Sequence, residues 1–215
     1  MHPIERRSLL QAAAVALGLL AVPWAQAADE APDALVQRLS NQVLEMIRGD
    51  KALQQGDLQR VAEVVNEVIM PNVNFTRMTA SATGPAWRRA TPEQRQRLQD
   101  EFRTLLERTY AGALREVRDQ TVDVKPLRAG ADDPEVVVRS VVKGRADPIQ
   151  LDYRLERTPG QGAGWKIYDL NVLGVWLVDN YRPQFAQQIN QGGIDALIAA
   201  LAQRNEANAA ATAQR

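Results

Sequence analysis

The chain has 215 residues with 26 basic and 26 acidic side chains, a formal net charge of +0, one histidine and no cysteine. Balanced charge argues against a nucleic-acid partner, which needs a basic excess or patch, and against permanent attachment to anionic lipid surfaces. The missing cysteines exclude disulfides and thiol nucleophiles, and the length suits one domain with a sizeable core.

The first residues read as an export signal. Glu5-Arg6-Arg7-Ser8 is followed by an apolar run from Leu9 to Val22 and by Ala25-Gln26-Ala27, a small-x-small cleavage site. The apolar run is about 14 residues, short of the ~20 that a spanning helix needs. Arg6-Arg7-Ser8-Leu9-Leu10-Gln11 also fits a twin-arginine signal, and general-secretory signals carry paired arginines as well, so both routes stay open. Cleavage after Ala27 would leave residues 28–205 as a single domain and 206–215 as a disordered tail. It also removes His2, so the mature chain would have no histidine.

Leu35, Leu39, Val43, Met46 and Ile47 recur at helical spacing from Asp33. Asp57 can cap a second helix carrying Leu58, Val61, Val65, Val68 and Ile69, which Pro71 stops. Residues 71–87 read as a loop-rich connector. Thr91-Pro92-Glu93-Gln94 forms a capping box with proline at the first helical position, and an apolar stripe then runs from Leu98 to Val117. Beyond Arg118 the period falls to two. Val122 and Val124, a valine-rich run over 135–143, the alternating Ile149, Leu151, Tyr153 and Leu155, and the segment from Trp165 to Val172 give four strands, with turns at 130–134, 144–148 and 159–162. Two more helices follow. Helices gathered on one side of a four-stranded antiparallel sheet make an α+β fold.

Little of the chain is equipped for catalysis. Without histidine or cysteine there is no serine–histidine triad, cysteine nucleophile or ordinary zinc site. None of Ser40, Ser81 and Ser140 sits in a Gly-x-Ser-x-Gly setting, and no glycine loop can cradle phosphate. Asp169 lies within an apolar strand, where burial could raise its pKa and suit it to acid–base work, or where an arginine or loop amide could hold it structurally. The Trp165 strand is apolar on both parities, Trp165 and Ile167 on one and Tyr168, Leu170 and Val172 on the other. That pattern fits a strand covered on both faces or one lining an apolar cavity.

Motifs spread over almost the whole mature chain carry a resemblance. They are Ile69-Met70-Pro71 with Phe75, Gly84-Pro85-Ala86-Trp87-Arg88 before the capped helix, Phe102-Arg103-Thr104-Leu105-Leu106 with Thr109-Tyr110, Trp165-Lys166-Ile167-Tyr168-Asp169, Asn180-Tyr181-Arg182 with Phe185, and Gly193-Ile194-Asp195 with Leu197-Ile198. In this order they resemble the periplasmic phospholipid-binding proteins of the Mla lipid-asymmetry pathway, the toluene-tolerance or organic-solvent-resistance family. Trp176 and Asn74 depart from it, standing where a small polar and an acidic residue are common.

The resemblance implies a monomeric periplasmic carrier with no catalytic residue, metal or cofactor, its cargo a phospholipid held in an apolar cavity between sheet and helices. The partners it implies are an outer-membrane lipoprotein complex and an inner-membrane ABC transporter with its substrate-binding ring. Candidate lining residues are Val65, Ile69, Phe75, Leu106, Tyr110, Val138, Tyr153, Ile167, Val172, Trp176 and Tyr181. Two other readings stay open on the residues alone: an interaction module that docks through Val172 to Val178, and a small enzyme that uses Asp169 on an apolar substrate.

Overall fold

The computed structural model describes residues 30–127 and 133–213. The expected signal peptide and most of the turn at 130–134 lie outside them. α1 (Pro32–Gly49) carries proline and Asp33 in its first turn and Arg48 in its last, and it buries Leu35, Val36, Leu39 and Ile47. Asp50 caps the short α2 (Lys51–Gln54) by accepting from the amides of Ala52 and Leu53. Asp57 caps α3 (Leu58–Val64) through the Arg60 amide. The chain then widens into a π turn over Val65–Ile69 and tightens into a 3₁₀ turn over Met70–Asn72, because Pro71 cannot continue the α-helical ladder.

The connector expected over 71–87 instead holds a helix, α4 (Phe75–Thr83), followed by a 3₁₀ segment, Gly84–Arg89. Asn74 caps α4 by accepting from the Arg77 amide at 2.9 Å. Its inward face is Phe75, Met78, Thr79, Ala82 and Thr83, and two threonines break the apolar stripe a sequence scan looks for. Both hydroxyls are satisfied inside the helix: Thr79 donates to the Phe75 carbonyl and Thr83 to that of Thr79.

α5 (Pro92–Ala111) begins with the expected box. Thr91 Oγ1 accepts from the Gln94 amide at 3.2 Å, and Gln94 Oε1 accepts from the Thr91 amide at 3.0 Å. The apolar stripe outlasts the α-helix, since residues Gly112–Glu116 are 3₁₀.

The sheet is antiparallel in the order β1-β2-β3-β4-β5. Its strands are β1 (Thr121–Val124), β2 (Glu135–Lys143), β3 (Ile149–Arg157), β4 (Trp165–Val172) and β5 (Val175–Trp176). The fifth strand corrects the expected four. Leu173 and Gly174, with φ of 53° and 88°, form a two-residue hairpin that folds β5 back on β4, pairing Val172 with Val175. The sequence hides this turn because leucine stands where asparagine or glycine usually adopts positive φ.

α6 (Leu177–Ala213) is two helices joined at Gly192–Gly193, where Gly193 has φ 73°. The tail expected from residue 206 is helical as far as Ala213: alanines 207, 209 and 210 are strong helix formers, and Asn205 is pinned to α5 by donating to the Glu101 carbonyl at 2.9 Å.

Two apolar clusters result. One packs the inner face of the sheet (Val136, Val138, Leu155, Trp165) on Leu35, Val36 and Leu39 of α1 and on Val61, Val64 and Val68. The other joins α4, α5 and α6 around Phe102, which is fully buried among Phe75, Tyr181 and Phe185 with ring centroids 5.7, 5.0 and 5.1 Å away.

Candidate functional site: an apolar seam between sheet and helices

A β-bulge decides which side chains face inward. Arg154 pairs with Asp169 but Leu155 pairs with Ile167, so β4 has one extra residue, Tyr168, at that point. Trp165 and Ile167 before the bulge, and Leu170 and Val172 after it, therefore share the inner face with Tyr153 and Leu155. This resolves the apparent two-sided apolar pattern of the strand: one face is apolar, and the other carries Lys166, Asp169 and Asn171.

The two clusters meet along that inner face. Val65, Ile69, Tyr153 and Ile167 are half-buried against the sheet-side cluster, and Met70, Val73, Leu106 and Leu170 are half-buried against the helical one. The two sets adjoin at three places. Ile69 precedes Met70 in the chain, Val73 bridges to Ile167 (with the Asn74 amide donating to the Ile167 carbonyl at 2.8 Å), and Tyr153 pairs across strands with Leu170. These side chains are only partly buried, unlike those of the two clusters themselves. Here facing elements present large aliphatic and aromatic side chains to a shared border that stays accessible. Tyr110 extends the border outward at 37% exposure, its hydroxyl pKa pushed up by burial and by the neighbouring Tyr181. Burial also pushes up the hydroxyl of Tyr153, which lies beside Ser40 and Ser140.

The eleven candidates thus fall into three groups. Val65, Ile69, Leu106, Tyr110, Tyr153, Ile167 and Val172 lie at the border or on the accessible part of the inner face. Val138 is fully enclosed in the sheet-side cluster, and Phe75 and Tyr181 belong to the aromatic packing around Phe102. Trp176 pairs with Asn171 and so takes the outer face, where the Arg154 guanidinium lies 3.9 Å from its ring centroid. Met70, Val73 and Leu170 join the border unforeseen; the bulge that turns Leu170 inward has no sequence signature. Two depressions in the surface lie elsewhere, one of about 90 Å³ between α1 and β1 and one of about 440 Å³ beside Asp57 and Arg115, and neither touches a candidate residue.

The outer face is polar and heavily bonded. Asp169 is 1% exposed; its Oδ1 accepts from the amides of Leu170 at 2.9 Å and Val178 at 3.1 Å, and its Oδ2 from Arg154 at 2.8 Å. Burial raises its pKa against those bonds. The carboxylate fastens the start of α6 to β4 and points away from the seam. Asp169→Asn is expected to lower stability by roughly 1–3 kcal/mol, since one buried acceptor becomes a donor; denaturant unfolding checks it.

Nearby, Arg77 of α4 donates to Glu135 and Glu156 at 2.5 Å each and lies 3.6 Å over the Tyr168 ring. Asn74 donates to the same Glu156 at 2.5 Å, so the asparagine departure serves both a cap and a strand contact. Bonds from Arg77 and Tyr168 hold the Glu135 carboxyl below its usual range, and burial with the Glu135 contact pushes the Tyr168 hydroxyl up to about 12. A depressed folded-state pKa stabilises the fold above the unfolded value and stops doing so as pH falls through the folded value. Arg77→Gln is therefore expected to cost on the order of 1–2 kcal/mol at neutral pH, a difference that fades as pH drops below about 4. Paired melts across that range test it; a constant gap would contradict it.

Among the described residues, no group of three or more acidic or histidine side chains could hold a metal ion, and no helix is long and apolar enough to cross a membrane. A profile of the family described as MlaC protein matches residues 37–203. The chain belongs to the MlaC family. Its relatives include toluene tolerance protein ttg2D of Pseudomonas putida, 28% identical over 91% of this chain and 87% of that one. Another is the intermembrane phospholipid transport system binding protein MlaC of Haemophilus influenzae, 23% identical over 82% and 83%. A solved structure, the phospholipid-binding protein from Ralstonia solanacearum in complex with a phospholipid, is 48% identical, with a TM-score of 0.78 over 82% of this chain and 98% of that one. Family membership and an apolar seam between sheet and helices both point to a binding protein.

Proposed function

We propose that this chain is a periplasmic carrier that shuttles glycerophospholipid between an outer-membrane lipoprotein complex and an inner-membrane ABC transporter with its substrate-binding ring, maintaining outer-membrane lipid asymmetry. Residues 1–27 direct its export and are removed. The observation that carries the reading is the 48% identity to a protein solved with a phospholipid, joined to a seam of accessible apolar side chains in this chain. Acyl chains would enter between Val65, Ile69, Leu106, Tyr153, Ile167 and Val172, with Tyr110 at the mouth and the head group toward solvent.

The physics requires such a carrier. Exposing a lipid chain to water costs about 0.8 kcal/mol per CH₂, so two chains of roughly 14 such groups cost on the order of 20 kcal/mol. A carrier must offer surface as apolar as the bilayer and adaptable in shape, which aliphatic side chains on opposed elements provide. No bond is broken, so neither a nucleophile nor a cofactor is needed, and phospholipid is cargo.

The test is mass spectrometry of the mature protein purified from its export compartment without detergent, native and then after solvent extraction. A stoichiometric phospholipid supports carriage. A clean apo mass that persists after incubation with liposomes would refute it.

A further inference from the structure

At one end of the sheet, three aliphatic side chains stand in water with nothing over them: Leu173 at 65% exposure, Val175 at 52% and Ile149 at 41%. They lie together. The Leu173 amide donates to the Gln150 carbonyl at 3.0 Å, and Val175 pairs with Val172, which pairs with Leu151. Leu173 is unfavourable twice over: it exposes an isobutyl group, and it holds φ at 53° in a hairpin position that asparagine or glycine fills at lower cost. A strained, exposed apolar residue at a turn tip points to a use outside folding.

We propose that the β4–β5 hairpin tip, with Ile149 beside it, docks on the surface of a phospholipid bilayer; this rests on the carrier reading above. Three observations favour a bilayer as the occupant. The side chains project from two adjacent strand ends, so they can enter the interface with little backbone. Their area falls well short of the roughly 800 Å² per partner that a stable protein interface buries. The tip is also continuous with the accessible inner face through Val172 and Leu151, so an acyl chain leaving a membrane there would meet apolar surface all the way to the seam. The nearby charges are paired: Lys143 and Lys125 share Asp123, and Arg145 meets Asp119. Docking is therefore apolar in character and indifferent to salt.

Co-flotation with phosphatidylcholine vesicles tests this, using the mature protein and the double variant Leu173→Asn, Val175→Thr. Asparagine suits the turn and threonine suits the strand, so the variant keeps its fold. The expected result is vesicle binding that high salt leaves intact and that the double variant weakens by roughly tenfold or more. Equal binding by the two proteins overturns the proposal. So does a wild-type chain that ignores vesicles, which would assign the tip to a protein partner or a second copy of the chain. Phospholipid extracted from both proteins keeps any such failure separate from the carrier reading, which fails only if neither holds lipid.

Discussion

Leu106→Asp should strip the protein of phospholipid while leaving it folded. Leu106 is half-buried on α5, packed against the helical cluster where that cluster borders the sheet-side one. A carboxylate there can reach water when the seam is empty but must be dehydrated against acyl chains when it is filled. An unpaired charge in apolar surroundings costs several kcal/mol, so occupancy should fall by roughly a hundredfold or more. Extraction and mass spectrometry measure the loss, and circular dichroism confirms the fold. A variant that retains stoichiometric lipid would remove Leu106 from the lining. Val138→Asp makes the contrast. Val138 is 0% exposed in the sheet-side core, so its replacement should prevent folding altogether rather than empty the protein of cargo.

Phe102→Ala should be the most destabilising single truncation in the helical cluster. The ring is fully buried and touches Phe75, Tyr181 and Phe185, two of them edge-on at about 5 Å. Deleting it removes a large buried area, three aromatic contacts and the common anchor of α4, α5 and α6, a loss of about 3–5 kcal/mol. Denaturant unfolding monitored by circular dichroism gives the number; a cost below about 1 kcal/mol would mean the three helices close over the gap. Because Leu106 lies one turn along the same helix, cargo retention in this variant also reports whether the seam needs a rigid α5.

The sequence was most readable where one local interaction fixes geometry. The capping box at Thr91 and Gln94 places the start of α5, and the alternation from Ile149 to Leu155 gives β3, because both depend on residues a few positions apart. It was least readable where structure departs from a fixed period. Two buried threonines hid α4 by spending their hydroxyls on the helix's own carbonyls. A leucine in a glycine-type turn hid β5. The bulge at Tyr168 makes one apolar face look like two, because Trp165 and Ile167 lie before it and Leu170 and Val172 after it. Burial of Val138, Phe75 and Tyr181 says the same in another way: hydrophobicity identifies apolar positions, but only the packing around them separates a solid core from a border that stays open.

The bulge also acts on the strand as a phase shifter. Upstream of Tyr168, odd-numbered residues point to the helices; downstream, even-numbered ones do. Any slip of β4 past β3 by one residue would drive Asp169 and Asn171 into apolar surroundings, and a slip by two would keep the faces but move the bulge away from Arg154 and Leu155. The extra residue is thus a register mark. Deleting Tyr168 would leave Ile167 and Asp169 in regular alternation, so every side chain from Asp169 to Val172 would keep its side while β4 lost the bulge that marks its place against β3.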